Sequence, residues 1–313
     1  MIISKKLIVL WSICISLIVI ALYTRIKDNL DKTTQPRVPI EYKEEVVSDE
    51  FYQNEQASST DQDSSTRTPE IKKSPISAKA FLVGNVETGE IYMYRNMNTV
   101  LPVASMSKLI TAVASIDQYS LSGTTTISEA NLDRPDSVKY TSGEIFTVEE
   151  ALQPLLISSS NIMAEALAST SNRAKFMELM SSYAWEIGMP STYFADPSGI
   201  SPLNISSASD FFALAKYLYK LRPDILKITK MDKVIMATTT EHGYHEIVST
   251  HPFIYYPSYL GGKTGRTPQA KDTMLSILKI RDQPIAIIVL GSDNRKADSD
   301  YLIKETEKLL SQI

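Results

Sequence analysis

TMLSILKIRDQPIAIIVLG, residues 273–291, holds two strand-length apolar runs, Thr273 to Ile280 and Pro284 to Gly291, separated by Arg281, Asp282 and Gln283. Runs of this length, rich in β-branched residues and split by three polar ones, predict an antiparallel hairpin. A second pair lies upstream, where Ala80 to Val86 and Glu90 to Tyr94 flank Thr88 and Gly89. It too reads as a hairpin. Between the pairs the pattern turns helical. Ser105 to Tyr119 repeats apolar residues through Leu109, Ala112, Val113 and Ile116, a period near 3.6. Thr147 to Leu156, Ile162 to Ala168, Arg173 to Ile187 and Ser209 to Leu221 follow suit, with Thr147 and Glu150 spaced as a capping box. Asp298 to Leu310 closes the chain as an amphipathic helix. Strands at both ends with helices between them predict an α+β fold: one antiparallel sheet completed by both termini, flanked by helices, with a helical subdomain inserted.

The chain has 313 residues, of which 43% are hydrophobic, enough for a sizeable core. Its net charge is −4 with both signs interspersed, so the clustered basic surface that nucleic acid requires is missing. Lys5 and Lys6 precede an uncharged, mostly apolar run from Leu7 to Tyr23, followed by Arg25 and Lys27. That run has membrane-spanning length. Ile18 to Thr24 offers no Ala-x-Ala cleavage pattern, so an uncleaved anchor is expected over 1–25 rather than a signal peptide. The single cysteine, Cys14, falls inside it, and no internal disulfide can form. Residues 26–74 are rich in Ser, Thr, Gln, Asp, Glu and Pro with no apolar period. They are expected to be a disordered linker separating membrane and domain by roughly 40 Å, which leaves 75–313 as the folded domain.

Ser105-Met106-Ser107-Lys108 fits Ser-x-x-Lys, a spacing that lets the two side chains meet on one helix face. Ser276-Ile277-Leu278-Lys279 fits it as well, but in a strand that spacing sends the side chains to opposite faces. Ser159-Ser160-Asn161 fits Ser-x-Asn in a loop between two helices, whereas Ser292-Asp293-Asn294 lies where the chain turns out of the sheet. Lys263-Thr264-Gly265 occurs once, just before the terminal hairpin, and lacks the second glycine a P-loop needs. Each motif alone is weak and has a plain reading as a cap, a surface pair or a tight turn. Their order and contexts together are far more specific.

With these three motifs the chain resembles the penicillin-recognising serine enzymes, and within them the low-molecular-weight D-alanyl-D-alanine carboxypeptidases. Pro102-Val103-Ala104, Asp196-Pro197-Ser198-Gly199-Ile200 and Ser207-Ala208-Ser209-Asp210 also match, over about Ala78 to Ile313. The family more often has Asn-Pro-His-Gly-Leu at 196–200 and an aromatic or aliphatic residue where Arg266 stands. The resemblance implies a β-lactamase/transpeptidase-like fold and a stem peptide of peptidoglycan ending in D-Ala-D-Ala as substrate. It also implies β-lactams as covalent inhibitors, no metal or cofactor, and a catalytic domain held outside a bacterial cell membrane by the N-terminal helix.

It implies roles too. Ser105 is the nucleophile, Lys108 its base and Ser159 a proton relay. Asn161, Lys263, Thr264, Gly265 and Arg266 bind substrate, and the Ser105 and Arg266 amides form the oxyanion hole. A lysine base must be neutral. Bringing its pKa near 7 takes roughly 4 to 5 kcal/mol, which desolvation and the second cation Lys263 are expected to supply. Endopeptidase or β-lactamase action on the same fold, or an inactive wall-binding module, stay open. A Ser-His-Asp hydrolase using His242, His245 or His251 lacks a Gly-x-Ser-x-Gly elbow, and these histidines are expected in loops or at the surface.

Overall fold

A computed structural model describes residues 75–312. The expected anchor, linker and Cys14 lie outside them; among the described residues no helix is long and apolar enough to cross a membrane. In chain order the elements are β1 (Ala80–Asn85), β2 (Ile91–Arg95), β3 (Leu101–Pro102), a 3-10 turn (Ala104–Ser107), α1 (Lys108–Gln118), β4 (Thr124–Thr126), α2 (Glu129–Leu132), β5 (Ile145–Thr147), α3 (Val148–Leu156), α4 (Asn161–Ser169), α5 (Arg173–Ile187), β6 (Ile205–Ser206), α6 (Ala208–Leu221), α7 (Pro223–Thr229), β7 (Lys233–Met236), β8 (His245–Val248), β9 (Tyr259–Thr267), β10 (Lys271–Ile280), β11 (Gln283–Ser292) and α8 (Arg295–Leu309).

One antiparallel sheet runs in the order β2-β1-β11-β10-β9. The N-terminal strand β1 pairs with the last strand β11 from Ala80↔Leu290 to Asn85↔Ile285, so both ends of the domain complete the sheet, as the two sequence hairpins predict. β11 is buried on both faces. Ala286, Ile288 and Leu290 enter the larger core with α1 and α3–α7, while Ile285, Ile287 and Val289 pack toward Leu302 of α8. A strand covered on both sides needs no polar face, which is why 284–291 reads as continuous apolar sequence. The helices between β2 and β9 form the inserted subdomain, and the fold is the expected α+β arrangement.

α3 starts where its capping box places it. Glu150 N donates to Thr147 Oγ1 at 3.1 Å, and Thr147 N donates to Glu150 Oε2 at 2.8 Å. The helix expected from Ser105 differs at its start, because Ala104 has φ +51° and the chain first makes a 3-10 turn through Ser107. Two elements are not expected from the sequence: α7, opened by Pro223, and the β7–β8 hairpin, whose outer residues Lys233, Ile235, Glu246 and Val248 are exposed and mixed in polarity. A strand with no clean alternation leaves no periodic signal.

Candidate active site

Ser105 sits in the 3-10 turn and Lys108 opens α1. The Lys108 ammonium position is fully buried. Nζ lies 2.9 Å from Ser105 Oγ and 2.8 Å from Asn161 Oδ1, and it also donates to the Ser198 carbonyl. Burial pushes the Lys108 pKa down to about 7, against the pull of Asp136, Asp196 and Glu165, which favour its charged form. Desolvation is the main cause of the lowering, and Lys263 is electrostatically coupled to the same lysine. Lys263 itself is pushed well below the usual lysine range, by burial first and then by Lys108 and Arg295.

Ser159 occupies the loop between α3 and α4 with φ +66°, and its hydroxyl accepts from Lys263 Nζ at 2.8 Å. Ser160 Oγ caps α4 by accepting from Met163 N at 3.1 Å. Thus one loop serves two ends: Ser159 meets the third motif, and Asn161 meets the first. β9, which carries the third motif, is an edge strand of the sheet. Lys263 Nζ bonds the Thr264 carbonyl at 2.9 Å, while the Thr264 hydroxyl pairs with Thr250 Oγ1 at 3.1 Å. The two side chains thus have different partners.

Gly265 has a reason of its own that sequence does not disclose. A Cβ there would lie 2.8 Å from Val103 O, 2.9 Å from Ser105 N and 2.5 Å from Thr273 Oγ1. The glycine therefore lets β9 lie against the Ser105 backbone. Arg266 is 75% exposed and lies 3.4 Å from Asp272 Oδ1, and Arg295 Nη1 donates to Gly265 O at 2.7 Å.

The 196–201 loop supplies a further group that side-chain motifs cannot reveal, the Ser198 carbonyl on Lys108. Asp196 shapes that loop. Its carboxylate accepts from Ser198 N at 2.7 Å, Ser198 Oγ at 2.8 Å and Ser201 N at 2.6 Å, and also from Gly199 N and Ile200 N. It is a turn former beside Pro197. Thr111 Oγ1 ties the Pro197 carbonyl to α1 at 2.6 Å.

The decoys separate cleanly. Ser276 is buried against His251 Nε2 at 3.2 Å, whereas Lys279 is exposed and paired with Asp282. Ser292 bonds Asp298, and Asn294 caps α8. His242 and His251 lie in loops as expected and His245 opens β8, but none of the three is at the surface: all are buried. His242 stacks on Phe146 at 4.6 Å, His245 bonds Glu144 at 3.0 Å, and His251 stacks on Tyr259 at 4.4 Å. Ser105 Oγ bonds Lys108, not a histidine. Among the described residues no group of three His, Cys, Asp or Glu side chains could hold a metal ion.

Comparison with known proteins agrees with this geometry. A family model described as D-alanyl-D-alanine carboxypeptidase matches residues 65–294. The chain is 26% identical over 244 residues to the D-alanyl-D-alanine carboxypeptidase DacF of Bacillus subtilis, covering 75% of this chain and 62% of the relative. It is 25% identical over 243 residues to a D-alanyl-D-alanine endopeptidase of Haemophilus influenzae, covering 74% and 81%. The fold matches the Streptomyces K15 DD-transpeptidase with a TM-score of 0.68 at 22% identity, covering 77% of this chain and all of that one. With the second motif bonded to the first through Asn161 and Lys108 and to the third through Ser159 and Lys263, and a family model spanning most of the domain, the chain belongs to the D-alanyl-D-alanine carboxypeptidase family.

Proposed function

We propose that this chain is a serine D,D-peptidase that hydrolyses the terminal D-Ala-D-Ala bond of peptidoglycan stem peptides through an acyl-enzyme on Ser105. The observation that carries the proposal is the 2.9 Å contact between Ser105 Oγ and a buried Lys108 whose pKa lies at about 7, a hydroxyl beside a base that is neutral near neutral pH. Neutral Lys108 takes the Ser105 proton as Oγ bonds the scissile carbonyl carbon. The negative oxygen that forms is held by the Ser105 and Arg266 amides. The proton then passes through Ser159 to the departing D-alanine nitrogen as the C–N bond breaks. Water adds to the ester and returns a proton to Ser105, releasing the shortened peptide. Asn161 binds the substrate amide, and Lys263 and Thr264 take its terminal carboxylate. An arriving carboxylate favours protonated Lys263, offsetting the burial that holds its pKa down.

Digestion of purified muropeptides followed by mass spectrometry tests this. Loss of one alanine from pentapeptides is the expected result, and intact pentapeptide refutes it. The Haemophilus relative's name favours a second reading, an endopeptidase that opens cross-links, and the same digest would then yield monomers from dimers. The apolar run Leu7 to Tyr23 between basic residues supports a single-pass anchor with the catalytic domain outside the cell. The full chain should then sediment with membranes, and a fragment beginning near Ser74 should remain soluble and take up penicillin. Release of the full chain into the soluble fraction would refute the anchor.

A further inference from the structure

The segment between α2 and β5 crosses the N-terminal turn of α4 as a strap, and its contacts fall on the residues either side of Asn161. Asp136 Oδ2 accepts from Ser160 Oγ at 2.6 Å and from Ile162 N at 3.0 Å, and its Oδ1 accepts from Val138 N at 3.0 Å. One residue earlier, the Pro135 carbonyl accepts from Asn161 Nδ2. Arg134 adds a second tie, with Nη2 3.5 Å from Glu165 Oε1 one turn further along α4. Residues 135 and 136 thus bracket 160–162.

The bracket decides which way the Asn161 amide points. A carbonyl can only accept, so Pro135 O must face the NH2 end, which turns Oδ1 toward Lys108 Nζ at 2.8 Å. An amide nitrogen carries two hydrogens. Pro135 engages one and leaves the other for a substrate carbonyl. Pro135 has no side-chain bond that could hold its carbonyl there; Asp136, locked to Ser160 and Ile162, does so. We infer that Asp136 is a positioning residue of this site, fixing Asn161 so that its oxygen meets Lys108 and its second amide hydrogen faces the substrate. The inference rests on the peptidase reading above.

Lys108 on α1 faces Asp136 from the strap, Asp196 from the 196–201 loop, Glu165 from α4 and Lys263 from β9. Removing the Asp136 charge removes an interaction that favours protonated Lys108. Its pKa therefore falls, and the acidic limb of acylation moves to lower pH.

Penicillin acylation of the full chain, measured as a rate constant per labelled enzyme with melting temperature alongside, provides the test. Asp136→Ala is expected to lower the acylation rate constant by roughly 10- to 100-fold, the scale of a misplaced binding group. Asp136→Asn keeps an acceptor for Ser160 and Ile162, though it loses the one that Val138 N uses. It should hold most of the rate above the limb while shifting that limb down by about 0.5 pH unit or more. A residue that only supports the fold would change melting temperature and the fraction labelled, but neither the rate constant nor the limb. A folded Asp136→Ala enzyme with the wild-type rate constant, or an unmoved limb in Asp136→Asn, overturns the inference. Should Asp136→Ala fail to fold, the limb in Asp136→Asn decides alone. A wild-type chain that takes no label overturns the peptidase reading and this inference together, whereas normal wild-type labelling with an unaltered Asp136→Asn overturns the inference only.

Discussion

Replacing Gly265 with alanine adds one methyl group at the point where β9 touches the nucleophile turn. The new carbon would stand 2.8 Å from Val103 O and 2.9 Å from Ser105 N. These are backbone atoms and cannot rotate aside. Thr273 Oγ1, at 2.5 Å, is itself held by its bond to Val103 O at 2.9 Å. Either β9 or the turn must move. Overpacking of this kind costs about 1 to 3 kcal/mol, and each 1.36 kcal/mol placed on the transition state is a factor of ten. The displaced atoms include the Ser105 amide and, one residue along, that of Arg266, so the cost falls on the two amides proposed as oxyanion donors. A drop in acylation rate toward the upper end, about 100-fold, is expected, with a melting temperature lower by about 2–4 °C per kcal/mol. Stopped-flow acylation by a fluorescent penicillin measures the first and a thermal scan the second. Gly89→Ala is the control. Its φ of +84° makes alanine unfavourable, but nothing lies within 4 Å of the added carbon, so stability should fall with no change in acylation rate. A folded Gly265→Ala enzyme acylating at the wild-type rate would refute the reasoning.

Ser105→Ala and Lys108→Ala should each abolish covalent penicillin labelling, while Ser276→Ala and Lys279→Ala keep it; a gel with fluorescent penicillin reads all four, and the reverse pattern would move the site. Because Lys108 titrates at about 7 and only its neutral form accepts the serine proton, acylation should fall tenfold per pH unit below that value. A rate flat from pH 8 to about 5 would remove Lys108 as base. The penicilloyl adduct should persist, since 196–200 contains no glutamate and the Asp196 carboxylate is engaged by its own loop. Deacylation without a base loses a factor of about 100 to 10,000. Mass spectrometry showing the adduct gone within seconds would instead indicate a β-lactamase.

The sheet and most helices were legible because their sequence signals are local. Continuous apolar runs mark the doubly buried strands, and the Thr147–Glu150 box marks a helix start within a residue. Within the site, side chains with fixed spacing were legible: Ser105 with Lys108, Ser159 with Asn161, and Lys263. What escaped was carried by backbone. The Ser198 and Pro135 carbonyls that orient Lys108 and Asn161 leave no mark on side-chain identity, and Asp136 matters only through the neighbours the fold brings to it. The burial of the histidines escaped for a related reason. Glu144, Phe146 and Glu150, which bury and partner His242 and His245, lie about a hundred residues upstream, so 239–251 taken alone has the polar composition of a loop.

Ala104 and Ser159 show what holds the groups of the proposed site in place, since both have positive φ without being glycine. Such conformations cost of order 1–3 kcal/mol and survive only where the surroundings over-determine them. Around Ala104 they do. On one side Gly199, with φ +84°, brings its Cα so near that an added Cβ would stand 2.1 Å from Ala104 O and 2.6 Å from Ser107 Oγ; on the other, Gly265 lies against Val103 and Ser105. The nucleophile turn is gripped between two glycines, one from the loop that supplies a carbonyl to Lys108 and one from the strand that carries Lys263. Ser159 is held in the same manner, through the Lys263 bond to its hydroxyl and the cap that its neighbour Ser160 makes on α4. Each strained residue is thus fixed by a segment that also carries another group of the proposed site. Relaxing Ala104 would require moving the loop on Lys108 or the strand on Lys263, so the alignment of Ser105 with its base and the local strain are consequences of one packing arrangement.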